Sequence, residues 1–289
     1  MDETRRLALP DDVTLTYRRW RAPNNPKRQT LVLLHGLASN HTRWSEFTEQ
    51  TALRADWDIL RPDLRGHGES FTRGPINLEI WCDDLAKLLD AEDTQQVVLT
   101  GHSLGAQVAL LFAARHPARV AGLVLIDPVH RPALRGWLRL TSHVAPLLRA
   151  AVAFLRLLNR LGLRRRQLPL RDLRALDETT RAVLAQSGEA GDIVRRYTSP
   201  LADLKYFPTA HYVQELVEVT RPLPPSAEIR APVLALLSRG VTFTDPGIMR
   251  TWIAGFPAAE IVTIDAYHWP ITERPVDVRA AIERWCRQR

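Results

Sequence analysis

Apolar and polar positions along this chain follow two different rhythms. Residues 13–20, VTLTYRRW, alternate at the two-residue period of a half-exposed strand, and the residues before them do the same. Residues 30–36, TLVLLHG, form an apolar run ending in glycine, which predicts a buried strand. A helix is expected over 44–53, a short strand over 57–63 (WDILRPD), and a helix over 77–92, where apolar residues recur every three or four positions. A strand at 96–101 (QVVLTG), a helix at 104–116 and a strand at 121–128 (AGLVLIDP) complete the first stretch. After residue 231 the alternation resumes, with strands at 232–238 and 259–265 and helices at 246–255 and 276–287.

Strands alternating with helices predict an α/β chain, with a mostly parallel sheet covered by helices on both faces. Residues 129–230 are mainly helical and interrupt that order. The chain therefore divides into a first core segment, 1–128, a helical insertion, 129–230, and a second core segment, 231–289. Sheets of this kind carry their sites beyond the carboxyl ends of the strands, so the insertion is expected to lie there as a cap. Within it, Trp137, Leu140, Val144, Leu147, Ala151, Phe154, Leu158 and Leu161 form an amphipathic stripe. The stripe is expected to face inward as a roof or packing surface, with arginine on the solvated side. Pro146 predicts a break into two helices.

Composition narrows the class. At 289 residues and 45% apolar content, the chain can bury one sizeable core and an inserted smaller unit. Its longest apolar runs are too short for a membrane span, and the amino terminus lacks the apolar stretch of a signal peptide. The two cysteines lie far apart, and the histidines are scattered without zinc spacing. A cytoplasmic protein without a disulfide framework or structural metal is expected.

Net charge is +7, and residues 131–230 hold 17 Lys/Arg against 9 Asp/Glu, so the excess belongs to the insertion. No DNA- or RNA-binding motif accompanies it, and no nucleic-acid partner is expected. Between Pro128 and Asp172 stand ten arginines and no acidic residue. That run raises the expectation of a weak membrane-surface contact.

The strongest chemical signal is GHSLG, residues 101–105. A sharp turn from strand to helix crowds the backbone, and Gly101 and Gly105 supply the room. Such a turn projects the Ser103 hydroxyl out of the sheet and sets the next amide at a helix N-terminus, an arrangement that suits a nucleophile.

Three further stretches stand in a fixed order with it: LLHGLASN (33–40), RPDLRGHGES (61–70) and, near the end, HWPITERP (268–275). With these motifs the chain resembles the α/β-hydrolase fold superfamily over nearly its whole length outside 129–230. The resemblance implies Ser103 as nucleophile, His268 as its base, and the backbone amides of Leu37 and Leu104 as an oxyanion hole. It makes His35 and His67 structural. His102, beside the serine, points elsewhere.

For the acid, Asp245 is the first candidate and Asp127 the alternative. Asp245 follows the strand 232–238, where the family most often keeps its acid, although its loop is longer than usual and Asp245-Pro246 also reads as a helix cap. Asp127 ends the strand 121–128, a position some relatives use. Asp265 lies too near His268 in sequence to be favoured.

The implied activity is cleavage of a hydrophobic small-molecule carboxylic ester through an acyl-enzyme, with no cofactor. The same fold hosts lactonases, amidases, carbon–carbon hydrolases and perhydrolases. A slow-turnover ligand receptor is an alternative of a different kind.

Overall fold

The computed structural model describes residues 2–187, 194 and 196–289. Its eight strands are β1 Asp2–Ala8, β2 Thr14–Trp20, β3 Thr30–Leu34, β4 Asp58–Pro62, β5 Val97–His102, β6 Val120–Ile126, β7 Val233–Ser238 and β8 Ala259–Ile264. They form one sheet in the order β1-β2-β4-β3-β5-β6-β7-β8. The β1–β2 and β2–β4 pairs are antiparallel, and every other pair is parallel.

The central strands β3, β5 and β6 are mostly apolar and buried along nearly their whole length because both faces are covered. In β3, Leu31 and Leu33 pack on one face while Val32 and Leu34 pack on the other. One face carries α2 (Leu78–Ala91) and α3 (Leu104–Arg115), and the other carries α1 (Ser45–Gln50) and the closing helix Pro275–Arg287. On that second face the Trp285 indole fills the space beside Gly122, where a Cβ would meet the ring. The helix expected over 44–53 is shorter. Asn40 and Thr51 accept backbone amides in 3-10 turns on either side of α1, and these local caps divide the segment.

Between β6 and β7 run α4 (Gly136–His143), α5 (Ala145–Arg160), α6 (Leu173–Ser187), α7 (Pro200–Asp203) and α8 (Thr209–Glu218), with no strand among the described residues. Residues 188–193 and 195 of the insertion lie outside the described residues. Pro146 falls in the first turn of α5, where a missing N–H costs nothing, and α4 and α5 meet at 77°.

The bend explains a reversal of the expected stripe. A single line of apolar side chains cannot face one partner through such an angle, and α8 meets α5 on its other side. There Val152 is buried and Leu148 and Leu155 are half-buried, whereas Leu140, Leu147, Phe154 and Leu161 are exposed. The helical period holds, but along α5 the face expected to look inward looks out, while Trp137 of α4 still packs edge-on against Phe243.

Candidate active site

The turn between β5 and α3 shows why GHSLG has its glycines. A Cβ on Gly101 would overlap the Gly105 carbonyl, and one on Gly105 would overlap the Leu34 and His35 carbonyl oxygens. With the backbone that tight, Ser103 adopts φ 51° and ψ −113°, a conformation costly for a residue with a side chain. Its amide is held by the Ile126 carbonyl at 2.9 Å. Two other non-glycine residues of this site also have positive φ: Ala38 at 48° and Asp127 at 41°. Strain is gathered where three loops converge.

The Ser103 hydroxyl lies 3.2 Å from His268 Nε2, with both side chains buried. His268 sits in the loop after β8, and its carbonyl accepts a hydrogen bond from His102 Nε2 at 2.7 Å. His102 therefore points away from the serine and steadies the histidine loop. Burial, with His102 alongside, holds the His268 imidazole well below its ordinary pKa, so its neutral form can accept a proton.

Of the two acids, the structure brings only Asp127 to the histidine. Its Oδ2 is 3.9 Å from His268 Nδ1, longer than a hydrogen bond; such contacts can tighten once substrate is bound. Asp127 also accepts from the Ser238 amide at 2.7 Å and from the Ser238 hydroxyl. Burial pushes its carboxyl up to about 7, against the pull of the Ser238 hydrogen bonds.

Asp245, the position that the family pattern favours, is engaged elsewhere. It caps the helix Pro246–Ala254 through the amides of Gly247 and Ile248 at 2.9 and 3.1 Å, and pairs with Arg135 at 3.1 Å. The Asp-Pro cap wins because it satisfies orphan helix amides that have no other acceptor.

Leu37 follows Gly36, whose α-carbon backs onto Ser103: a Cβ there would lie 3.5 Å from the serine Cβ. Leu104 opens α3. Among the described residues, neither amide has a protein acceptor. His35 is fully buried, its Nδ1 donating to the Gly36 carbonyl at 2.9 Å and its Nε2 accepting from Leu64 at 3.0 Å. It braces this loop rather than exchanging protons, and burial holds its pKa at about 3.

One contributor has no sequence signal. Glu215 on α8 accepts the Ala38 amide through Oε2 at 2.9 Å, while its Oε1 lies 2.9 Å from His67 Nε2. All three groups are buried. Burial alone would lower the His67 pKa, but the Glu215 carboxylate overrides this and raises it. A carboxylate of the insertion thus clamps the backbone next to Leu37.

Around the serine lies a cavity of about 90 Å³ walled by Leu37, Val129, Leu138, Leu216, Phe243 and Trp269. Its charged neighbours neutralise one another. Arg43 pairs with Asp177 and donates to Thr272 at 2.6 Å, and Arg171 pairs with Asp203 at 2.6 Å. The space is far below the roughly 300–1,000 Å³ of pockets that hold whole drug-sized ligands.

A family model described as the alpha/beta hydrolase fold matches residues 29–275. Among curated proteins, Lipase LipV of Mycobacterium tuberculosis is 36% identical over 106 residues, 37% of this chain and 39% of that protein. The Pimeloyl-(acyl-carrier protein) methyl ester esterase of Aromatoleum aromaticum is 44% identical over 99 residues, 34% of this chain and 37% of that protein. Each match spans less than two fifths of the relative's length. The crystal structure of the enol-lactonase from Burkholderia xenovorans LB400 superposes with a TM-score of 0.69 at 20% identity, covering 98% of this chain and 100% of that one. A match across most of the chain, with the same architecture, places this protein in the alpha/beta hydrolase fold family.

Proposed function

We propose that the chain is a serine hydrolase that cleaves a neutral, largely apolar carboxylic ester through an acyl-enzyme. The observation that carries this reading is the Ser103 hydroxyl, held at a strained elbow 3.2 Å from His268 Nε2. Ser103 Oγ attacks the ester carbonyl as His268 takes its proton, and the carbonyl oxygen becomes an oxyanion facing the Leu37 and Leu104 amides. His268 then protonates the leaving alkoxide, and the ester C–O bond breaks. Water attacks the acyl-serine by the same route, releasing the acid and restoring the hydroxyl. Asp127 orients the imidazole and stabilises its charged form.

Neutral substrate follows from the paired arginines: Arg43 and Arg171 already have aspartate partners, so the pocket offers no spare cation for a carboxylate. A small cavity favours a short acyl group. Turnover of p-nitrophenyl esters from acetate to octanoate tests the reading. Each added methylene that fits contributes about 0.8 kcal/mol, so kcat/KM should rise roughly tenfold from acetate to butyrate, then fall when the cavity is full. Absence of turnover across the whole series would overturn ester hydrolysis as the activity.

A further inference from the structure

We infer that the outward face of α4–α5 docks the protein on an anionic lipid surface. At 100° per residue, Leu147, Ala150, Phe154, Leu157 and Leu161 of α5 and its end fall within an arc of about 80°. Four of these, Leu147, Phe154, Leu157 and Leu161, are 50–70% exposed. Leu140 on α4 and Leu163 just beyond α5 extend the apolar surface. A helix whose apolar face looks away from its own protein calls for a partner.

Charge identifies that partner. Arg149 and Arg160 line one flank of α5, and Arg139, Arg164 and Arg166 stand on α4 and in the segment after α5, all five exposed. Among the described residues none of these five has an acidic partner, and no acidic residue occurs between Pro128 and Asp172. An apolar stripe bordered by unpaired guanidinium groups suits a bilayer interface, with side chains in the acyl boundary and arginines among phosphates. A second copy of the chain fits worse, because it would set these arginines against one another. No single helix among the described residues is long and apolar enough to cross a membrane, and the 77° bend lets α4 and α5 lie on a surface.

Docking here would also bear on the site. Trp137 and Leu138 of α4 line the cavity over Ser103, while Leu140 of the same helix is exposed. The roof of the cavity and the docking face share one helix. Contact with lipid would therefore present the cap, and not the opposite edge of the sheet, to esters held in the bilayer. The docking itself does not depend on the proposed hydrolysis.

The test is flotation of the full-length protein with two kinds of vesicle: phosphatidylcholine alone, and phosphatidylcholine with about 30% phosphatidylglycerol. Binding should favour the anionic vesicles at least tenfold at low salt and weaken steeply near ~0.5 M salt. The double substitution Leu147→Glu/Phe154→Glu should abolish binding while leaving hydrolysis of a water-soluble ester, and the mass found by sedimentation, unchanged. Arg149→Gln/Arg160→Gln should weaken anionic binding by roughly fivefold per arginine and leave any residual binding to neutral vesicles unaltered.

Wild-type binding that ignores lipid charge would overturn the inference, as would its absence at low salt. So would an oligomer that the Glu substitutions dissociate. Failure to hydrolyse esters would leave the vesicle result intact, so the two proposals fail separately.

Discussion

The elbow between β5 and α3 and the bent helix pair α4–α5 both carry strong sequence patterns, yet they constrain the chain to different degrees. At the elbow, backbone approaches within contact on both sides of Gly101 and Gly105, so one conformation is open to Ser103. In α4–α5 the spacing of Leu140, Leu147, Phe154 and Leu161 fixes a helical period and nothing more. The face that turns inward is chosen by α8 and by the bend at Pro146. Steric exclusion transmits more structure from sequence than amphipathicity does, because periodicity names no partner.

The two carboxylates put the same comparison to mutation, and the effect is large. Asp127→Asn should lower kcat by roughly 10³- to 10⁴-fold, since the imidazole loses its orienting carboxylate. Asp245→Asn should change kcat by less than about threefold and cost no more than about 0.5 kcal/mol of stability, because asparagine caps a helix about as well and the exposed Arg135 pair is worth little. Steady-state kinetics and denaturant unfolding of both variants decide the point; the reverse ranking would move the acid to the loop after β7.

Asp127 also gives activity and stability opposite pH trends. Its carboxyl is raised to about 7, so ester turnover should fall as pH drops through that region and the carboxylate is protonated. For stability the sign is reversed. The folded state holds this proton more tightly than the unfolded state, so the contribution of Asp127 is fullest at low pH and is lost as pH rises through about 7. Asp127→Asn should accordingly melt a few degrees higher than wild type at about pH 8, despite its lost activity. A lower melting temperature there would contradict the burial argument.

A smaller effect tests how the insertion reaches the elbow. Glu215→Ala leaves the Ala38 amide buried without its acceptor and should lower kcat about tenfold with little change in KM, because the Leu37 amide loses its rigid neighbour. Glu215→Gln keeps an acceptor for Ala38 and should recover most of kcat. If both variants lose stability alone, with kcat unchanged, Glu215 is a structural tie.

Much of this arrangement is legible before folding. Alternating strands and helices announce the sheet, and the glycines of GHSLG announce the elbow. His268 follows from its place after the last strand. Asp127 is written just as plainly at the end of LVLID, but the family pattern also offers Asp245, and only the geometry shows its carboxylate engaged by Gly247, Ile248 and Arg135. Glu215 is beyond sequence reading. It looks like one more polar position on an amphipathic helix, and its partner Ala38 is 177 residues away. Contacts between an insertion and its core depend on how the two dock, and no local pattern encodes that.

The central claim is that Ser103 is an activated nucleophile, and intact-protein mass spectrometry after treatment with a fluorophosphonate tests it directly. The hydroxyl 3.2 Å from His268 Nε2 should take up a single adduct, mapped to Ser103 and abolished in Ser103→Ala. His268→Ala should slow labelling by several orders of magnitude. An unlabelled wild-type protein, or an adduct that persists in Ser103→Ala, would contradict the account.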